Sequence, residues 1–297
     1  MVGFIGLGRR TSMTEQTAPY GSGAAPAGAT AAPRRRVRIP HLQAMKDRGE
    51  TWAMLTSYDM YTAQIFDAAG IPVLLVGDSA ANNVYGHATS LPVTVDELLP
   101  LVRAVSGSVS SSLVLADLPF GSYQESPEQA FRTAARFMKE AGAHAVKLEG
   151  GLEMVPQVEK LTRNGIPVMA HIGFTPQSEH QLGGYRVQGR GEAADDLVEQ
   201  ATALEAAGAF GIVLEMVPAE AAHRITEAVT IPTVGIGAGP HCDAQVLVWQ
   251  DMMGLRTGRM PRFVKQYADL ATTMTEAAQA FAADVASGSF PADEHSF

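Results

Sequence analysis

Cysteine is almost absent. The single Cys242 in 297 residues excludes an intramolecular disulfide and makes the reducing cytoplasm the expected compartment. Long apolar runs are missing too: no stretch approaches the roughly 20 residues that cross a bilayer. Met1–Gly8 is too short for a secretion signal, and its arginines follow it rather than precede it. Positive charge is in the minority, 22 Lys and Arg against 31 Asp and Glu, for a formal net charge of −9. Apart from Arg34-Arg35-Arg36 the basic residues are scattered, so there is no stripe for nucleic acid, and solubility is the main consequence of the charge. Residues 1–37 lack a periodic apolar signal and are rich in Ala, Gly, Pro, Ser and Thr. Such a segment cannot offset the entropy of ordering, so a disordered tail is expected there, with Met13 as an alternative translation start.

What is present is a recurring unit. Val73-Leu-Leu-Val76 runs into Gly77-Asp78-Ser79, and the same design returns as Leu113–Asp117, Ala145–Glu149, Val168–His171 and Ile212–Glu215. Short β-branched and leucine-rich runs read as parallel strands buried on both faces. Each ends in an ionisable group. Between them lie helical stretches with start and stop signals: Met60–Ala69 before Gly70, a capping box at Thr94-Val-Asp-Glu97, and Ser126-Pro127 opening a helix to Glu140. Strands at Trp52–Thr56, Pro232–Gly237 and Gln245–Trp249 complete a count of eight. That predicts an α/β fold, a (β/α)8 TIM barrel of about 250 residues, rather than an open doubly wound sheet. The barrel domain is expected over 38–290, with a bottom lid at Pro40–Arg48 and a long terminal helix over Phe263–Ala286. Residues 291–297 are expected to form a tail.

Asp78, Asp117 and Glu149 fall at the ends of strands two, three and four, neighbours about 4.8 Å apart. Three carboxylates so close repel, and a hard divalent cation resolves the conflict. Mg²⁺ suits, because it takes one or two direct carboxylates and fills its octahedron with water or substrate oxygens. Lys147 shares a face with Glu149, either as a structural ion pair or as a cation for an anionic substrate. Glu215, on strand six between Leu214 and Met216, has the setting of a general base for a substrate C–H. His171 ends strand five as a supporting hydrogen-bonding group. Gly235-Ile-Gly-Ala-Gly239 resembles a dinucleotide fingerprint only weakly, since Pro240 follows it, but a glycine turn after strand seven also suits phosphate. Gly183–Arg190 reads as a mobile lid or a plain surface loop, and Cys242 as structural.

These residues sit in longer motifs: Val76-Gly-Asp-Ser79, Leu91-Pro-Val-Thr94, Ala116-Asp-Leu-Pro-Phe120, Val146-Lys-Leu-Glu-Gly-Gly151, His171-Ile-Gly-Phe-Thr-Pro-Gln-Ser178, Leu214-Glu-Met-Val-Pro218 and Ile231–Gly239. In order and spacing, from about Arg38 to Tyr267, they resemble the ketopantoate hydroxymethyltransferase family. The resemblance implies transfer of a hydroxymethyl group from 5,10-methylenetetrahydrofolate to 3-methyl-2-oxobutanoate, giving 2-dehydropantoate and tetrahydrofolate in pantothenate biosynthesis. It implies that Asp78 and Asp117 bind Mg²⁺ directly and that Glu149 completes or supports the metal site. Asp78, Ser79, Asp117, Lys147 and His171 would surround the keto acid, with Glu215 as proton acceptor. It also implies a homodecamer, a pentamer of dimers. One departure is visible: Ala80-Ala-Asn82 follows Ser79 where Leu-Gly-Met is usual, which alters the lining of the strand-two loop.

Two rival readings follow from the same residues. A Mg²⁺-dependent carbon–carbon lyase would want a reactive cysteine on a rim loop, and none lies near the first six strand ends. A non-catalytic binding protein on a barrel scaffold leaves the acidic tips without a purpose.

Overall fold

The computed structural model describes residues 34–297. The expected tail over 1–33 and the alternative start at Met13 lie outside the described residues.

Eight strands close into a parallel barrel in chain order: β1 (Trp52–Thr56), β2 (Val73–Val76), β3 (Leu113–Asp117), β4 (Ala145–Glu149), β5 (Val168–Gly173), β6 (Gly211–Glu215), β7 (Thr233–Ile236) and β8 (Ala244–Leu247), with β8 paired back to β1. The TIM barrel expected from the strand count is the fold found. Side chains alternate between two apolar layers, as the two-residue period of a strand requires. Trp52, Met54, Val73, Leu75, Leu113, Leu115, Ala145, Met169 and Val213 fill the lumen. Leu74, Val76, Val114, Ala116, Val146 and Leu148 face the helices.

That alternation places the polar tips. Asp117 continues the inward series of Leu113 and Leu115. Lys147 and Glu149 follow Ala145, His171 follows Met169, and Glu215 follows Val213. A shift of one residue in any strand would turn its ionisable group into the helix layer.

Helix Ile39–Asp47 closes the other end of the lumen, burying Leu42 among the inward-facing residues of the strands. The chain leading into it is pinned beneath the barrel. Arg36 donates to the carbonyls of Val109 and Ser112, and Val37 N–H to Ser111 O. On the outside, helix Pro127–Glu140 buries Phe137 completely. Phe137→Ala is expected to cost about 3–5 kcal/mol of stability, the usual penalty for emptying so large a buried site, measurable by denaturant unfolding.

Several boundaries differ from the sequence reading, most by a residue or two, and three differ in ways with a visible cause. The terminal helix spans Leu270–Ser287 rather than starting at Phe263, because the N–H groups of Tyr267 and Leu270 donate across to Met252 and Met253 carbonyls instead of along a helix. β8 stops at Leu247, since Trp249 opens a short helix with its N–H on Thr56 Oγ1 (3.0 Å). The connection after Phe174, expected as a loop, contains a 3₁₀ turn at Pro176–Ser178 and a helical turn at Glu179–Leu182. None of the terminal helix's residues is buried, and Met274, Phe281 and Val285 lie exposed along it. Among the described residues no helix is long and apolar enough to cross a membrane.

Candidate active site

The seven site residues expected from the sequence meet in one cavity of about 680 Å³ at the carboxyl rim: Asp78, Ser79, Asp117, Lys147, Glu149, His171 and Glu215 line it together. The first six come from the turn after β2 and from β3, β4 and β5. Glu215 comes from β6, beside them.

Gly77 permits a close approach between the turn after β2 and the tip of β3. A Cβ there would lie 2.7 Å from Ser79 Oγ and 3.4 Å from Asp117 Oδ2. With glycine in place, Asp117 Oδ2 accepts the Asp78 N–H at 3.1 Å, tying the tips of β2 and β3 together. The other oxygen of Asp117 lies 2.6 Å from Lys147 Nζ, which is also 3.7 Å from Glu149 Oε1. His171 bridges onward. Its Nδ1 is 3.4 Å from Glu149 Oε1, and its Nε2 is 3.4 Å from Glu215 Oε2 without a hydrogen-bond partner. Ser79 Oγ is held by Tyr58 Oη at 2.8 Å.

Sequence reasoning missed the residue that joins the carboxylates. Gln177 donates its side-chain N–H to Asp78 Oδ2 and Leu118 O, both at 3.0 Å, and its backbone N–H to Glu149 Oε2, also at 3.0 Å. Its own oxygen accepts from Tyr123 Oη (2.7 Å) and Gln124 Nε2 (3.0 Å), so the amide is fixed in one orientation. Tyr123, wholly buried, in turn accepts the Glu149 N–H at 3.1 Å. Gln177 lies within the motif His171–Ser178, but as an uncharged loop residue it has no periodicity to announce it.

The electrostatics follow from burial. Desolvation, then the charges of Asp117 and Glu149, hold the Asp78 carboxyl well above the usual carboxylate range. Burial and Glu149 also raise Asp117, against the pull of Lys147. Burial works the same way on Glu149, but His171 and Lys147 outweigh it and lower that carboxyl. Desolvation disfavours the Lys147 ammonium, yet Asp117, Glu149 and Asp78 push it above its ordinary value. Burial and Lys147 oppose the His171 imidazolium, but Glu149 and Glu215 prevail and raise it to about 9. Lys147 Nζ also lies 3.2 Å from His171 Nδ1, so the ammonium and the imidazole share Glu149 between them. Even so, the three acids Asp78, Asp117 and Glu149 face only Lys147 and His171, and Asp78 has no cation in direct contact.

This donor set fits a hard divalent cation. The oxygens are buried carboxylates, and Asp78 keeps one oxygen free of protein hydrogen bonds. Among the described residues no three acidic, histidine or cysteine side chains converge as a ready-made metal cage. An ion bound by one or two carboxylates and completed by water or substrate oxygens does not require one.

The family model described as ketopantoate hydroxymethyltransferase matches residues 36–293. The chain belongs to the ketopantoate hydroxymethyltransferase family. A 3-methyl-2-oxobutanoate hydroxymethyltransferase of Nocardioides sp. is 67% identical over 291 residues, covering 97% of this chain and 99% of the relative. One from Saccharopolyspora erythraea is 68% identical over 283 residues, covering 95% and 94%. Solved structures at lower identity share the barrel. A phosphonopyruvate hydrolase complexed with oxalate and Mg²⁺ superposes with a TM-score of 0.57 at 14% identity, covering 86% of this chain and 92% of that one. The 2,3-dimethylmalate lyase of the PEP mutase/isocitrate lyase superfamily gives 0.54 at 17%, covering 87% and 91%. Family membership disposes of the non-catalytic reading, and in the turn after β2 Asn82 and Asn83 spend side-chain N–H groups locally on His87 O and Ser79 O.

Proposed function

We propose that the chain is a 3-methyl-2-oxobutanoate hydroxymethyltransferase, using 5,10-methylenetetrahydrofolate as one-carbon donor and Mg²⁺ as its metal, in the synthesis of pantothenate. The carrying observation is the meeting of a buried acidic cluster with a separate glutamate, Glu215, in a single cavity of a chain from this family.

Asp78 and Asp117 would hold Mg²⁺ directly, and Glu149 would support it through Gln177. When bound, the metal supplies Lewis-acid polarisation of a 2-oxo acid's keto oxygen, which makes the neighbouring C–H acidic. Lys147, Ser79 and His171 orient the substrate carboxylate against that centre. Glu215 takes the C3 proton, and His171, whose Nε2 lies 3.4 Å from Glu215 Oε2, orients that carboxylate. The resulting enolate carbon forms a bond to the donor's methylene carbon as one of that carbon's two bonds to folate nitrogen breaks. Water supplies the hydroxyl as the second carbon–nitrogen bond breaks, and the two folate nitrogens end protonated, one by the proton taken from C3 and one by the proton released from water, giving 2-dehydropantoate and tetrahydrofolate. The exposed apolar side of the terminal helix is the surface we expect a second copy to cover in a decamer, and the cytoplasm is the expected compartment.

The direct test is proton NMR of the keto acid in D₂O with the protein, first with Mg²⁺ alone and then with the folate. Loss of the C3 signal that requires the metal, followed by 2-dehydropantoate on adding the donor, is the expected result; neither event with either addition sinks the reading. Removing the anchoring amide by Gln177→Ala should weaken Mg²⁺ activation by about 10–100-fold, as loss of a ligand-orienting group commonly does. Activity recovered at high Mg²⁺ is the signature to look for in the titration.

A further inference from the structure

The cavity is far larger than the keto acid requires, and its remaining walls are not idle. At about 680 Å³ it reaches past the acidic cluster to the turn after β8, where Gln250 and Asp251 line it. They are only 7% and 6% exposed, yet neither Gln250 Oε1 nor Asp251 Oδ1 receives a hydrogen bond. Asp251 Oδ1 faces Arg256 in an ion pair at 3.5 Å, longer than an ordinary hydrogen bond, so it can still take a closer donor. Buried acceptors left without a donor are rare and costly, and Gln250 Oε1 calls for one from outside the chain.

A second cavity, of about 1000 Å³, adjoins the first and shares Glu215, Tyr185, Arg256 and Phe263 with it. Val187, Val217 and Met260 give it apolar walls, while Arg190, Arg259 and Arg262 stand on its edge, exposed. Among the described residues none of these three arginines has a carboxylate partner, in a chain whose net charge is −9. The glycine turn after β7 explains how the two spaces meet. Gly237 has φ +65°, and a Cβ there would lie 2.8 Å from the Phe263 ring, so glycine lets that ring settle at the boundary.

We propose that the two regions form one seat for the one-carbon donor, with its pterin head on Asp251 and Gln250 and its glutamate tail on Arg259, Arg262 and Arg190. This rests on the transferase reading and says where its second substrate lies. The 2-amino and N3–H groups of a pterin are adjacent donors, which match a carboxylate with a neighbouring amide oxygen. The α- and γ-carboxylates of a glutamate tail match unpaired guanidinium groups. Glu215 lines both cavities, so a donor lying across them brings its methylene carbon beside the carbon that Glu215 deprotonates.

The test separates this seat from the reaction itself. Wild-type exchange of the C3 hydrogen without folate decides the transferase reading, whatever the donor does. Steady-state kinetics of Asp251→Asn then address the head: the KM for 5,10-methylenetetrahydrofolate should rise at least about tenfold, roughly the 1.4 kcal/mol of one charge-assisted pairing, with the keto acid KM moving less than about twofold. An unchanged folate KM, or equal rises for both substrates, overturns the pterin assignment. For the tail, wild-type protein should prefer the triglutamate form of the donor to the monoglutamate, and the exposed pair Arg259→Ser with Arg262→Ser should lose most of that preference. Equal KM values for the two forms with wild type, or a preference that survives the double substitution, overturn the arginine assignment.

Discussion

Glu215→Gln is expected to slow exchange of the C3 hydrogen of 3-methyl-2-oxobutanoate by about 10²–10⁴-fold, the span a positioned general base contributes. Glutamine has nearly the same shape but cannot accept the proton, so the keto acid KM should stay within a few-fold. A fall in kcat and kcat/KM together marks an interaction made only in the transition state. The geometry supports so clean a separation. Glu215 stands at the end of β6, its side chain 14% exposed, and among the described residues its ion-pairing neighbour is His171, whose other nitrogen faces Glu149. None of the groups that would hold the metal is bonded to it. Single-turnover NMR in D₂O measures the step without interference from folate or product release. Exchange at the wild-type rate would remove Glu215 from the role of base and leave His171 as the next group to examine.

The polar tips were legible in the sequence because a strand's period of two is rigid. Once Leu113–Asp117 or Ala145–Glu149 is read as a buried strand, the face of its terminal acid follows, and the closed barrel then gathers the tips with no further information. What the sequence concealed depends on contacts between distant segments. Gln177 is neither charged nor periodic, and its role exists only because the 3₁₀ turn after β5 swings it over β2 and β4. Phe263–Asp269 carries helix-compatible residues, but Tyr267 N–H finds its partner in Met252 O and the following Leu270 N–H in Met253 O, and that competition leaves no local trace. The arginines around the second cavity look scattered along the chain, and folding gathers Arg190 with Arg256, Arg259 and Arg262. Composition detects a basic stripe when it is continuous in sequence, whereas this one is assembled from two rim segments.

Asp78→Asn should abolish turnover and, at neutral pH, make the metal-free protein more stable. Asp78 is 4% exposed, receives one side-chain hydrogen bond, from Gln177, and lies near the charges of Asp117 and Glu149. Burial and those charges raise its carboxyl well above the usual range, so the folded state binds a proton that the unfolded chain releases near pH 4. Stability linked to such a group is fully present below the unfolded value and is lost as pH rises through the folded one. Asparagine keeps the acceptor for Gln177 and removes the charge, and with it that loss. The thermal midpoint of metal-free Asp78→Asn should therefore exceed wild type at neutral pH and converge with it in acid. Adding Mg²⁺ should reverse the order, because binding to the folded state stabilises wild type by mass action while the variant has lost its freest carboxylate oxygen. A variant less stable than wild type at neutral pH without metal would mean that the Asp78 charge is already balanced within the protein, and the physical case for a cation at this site would fall with it.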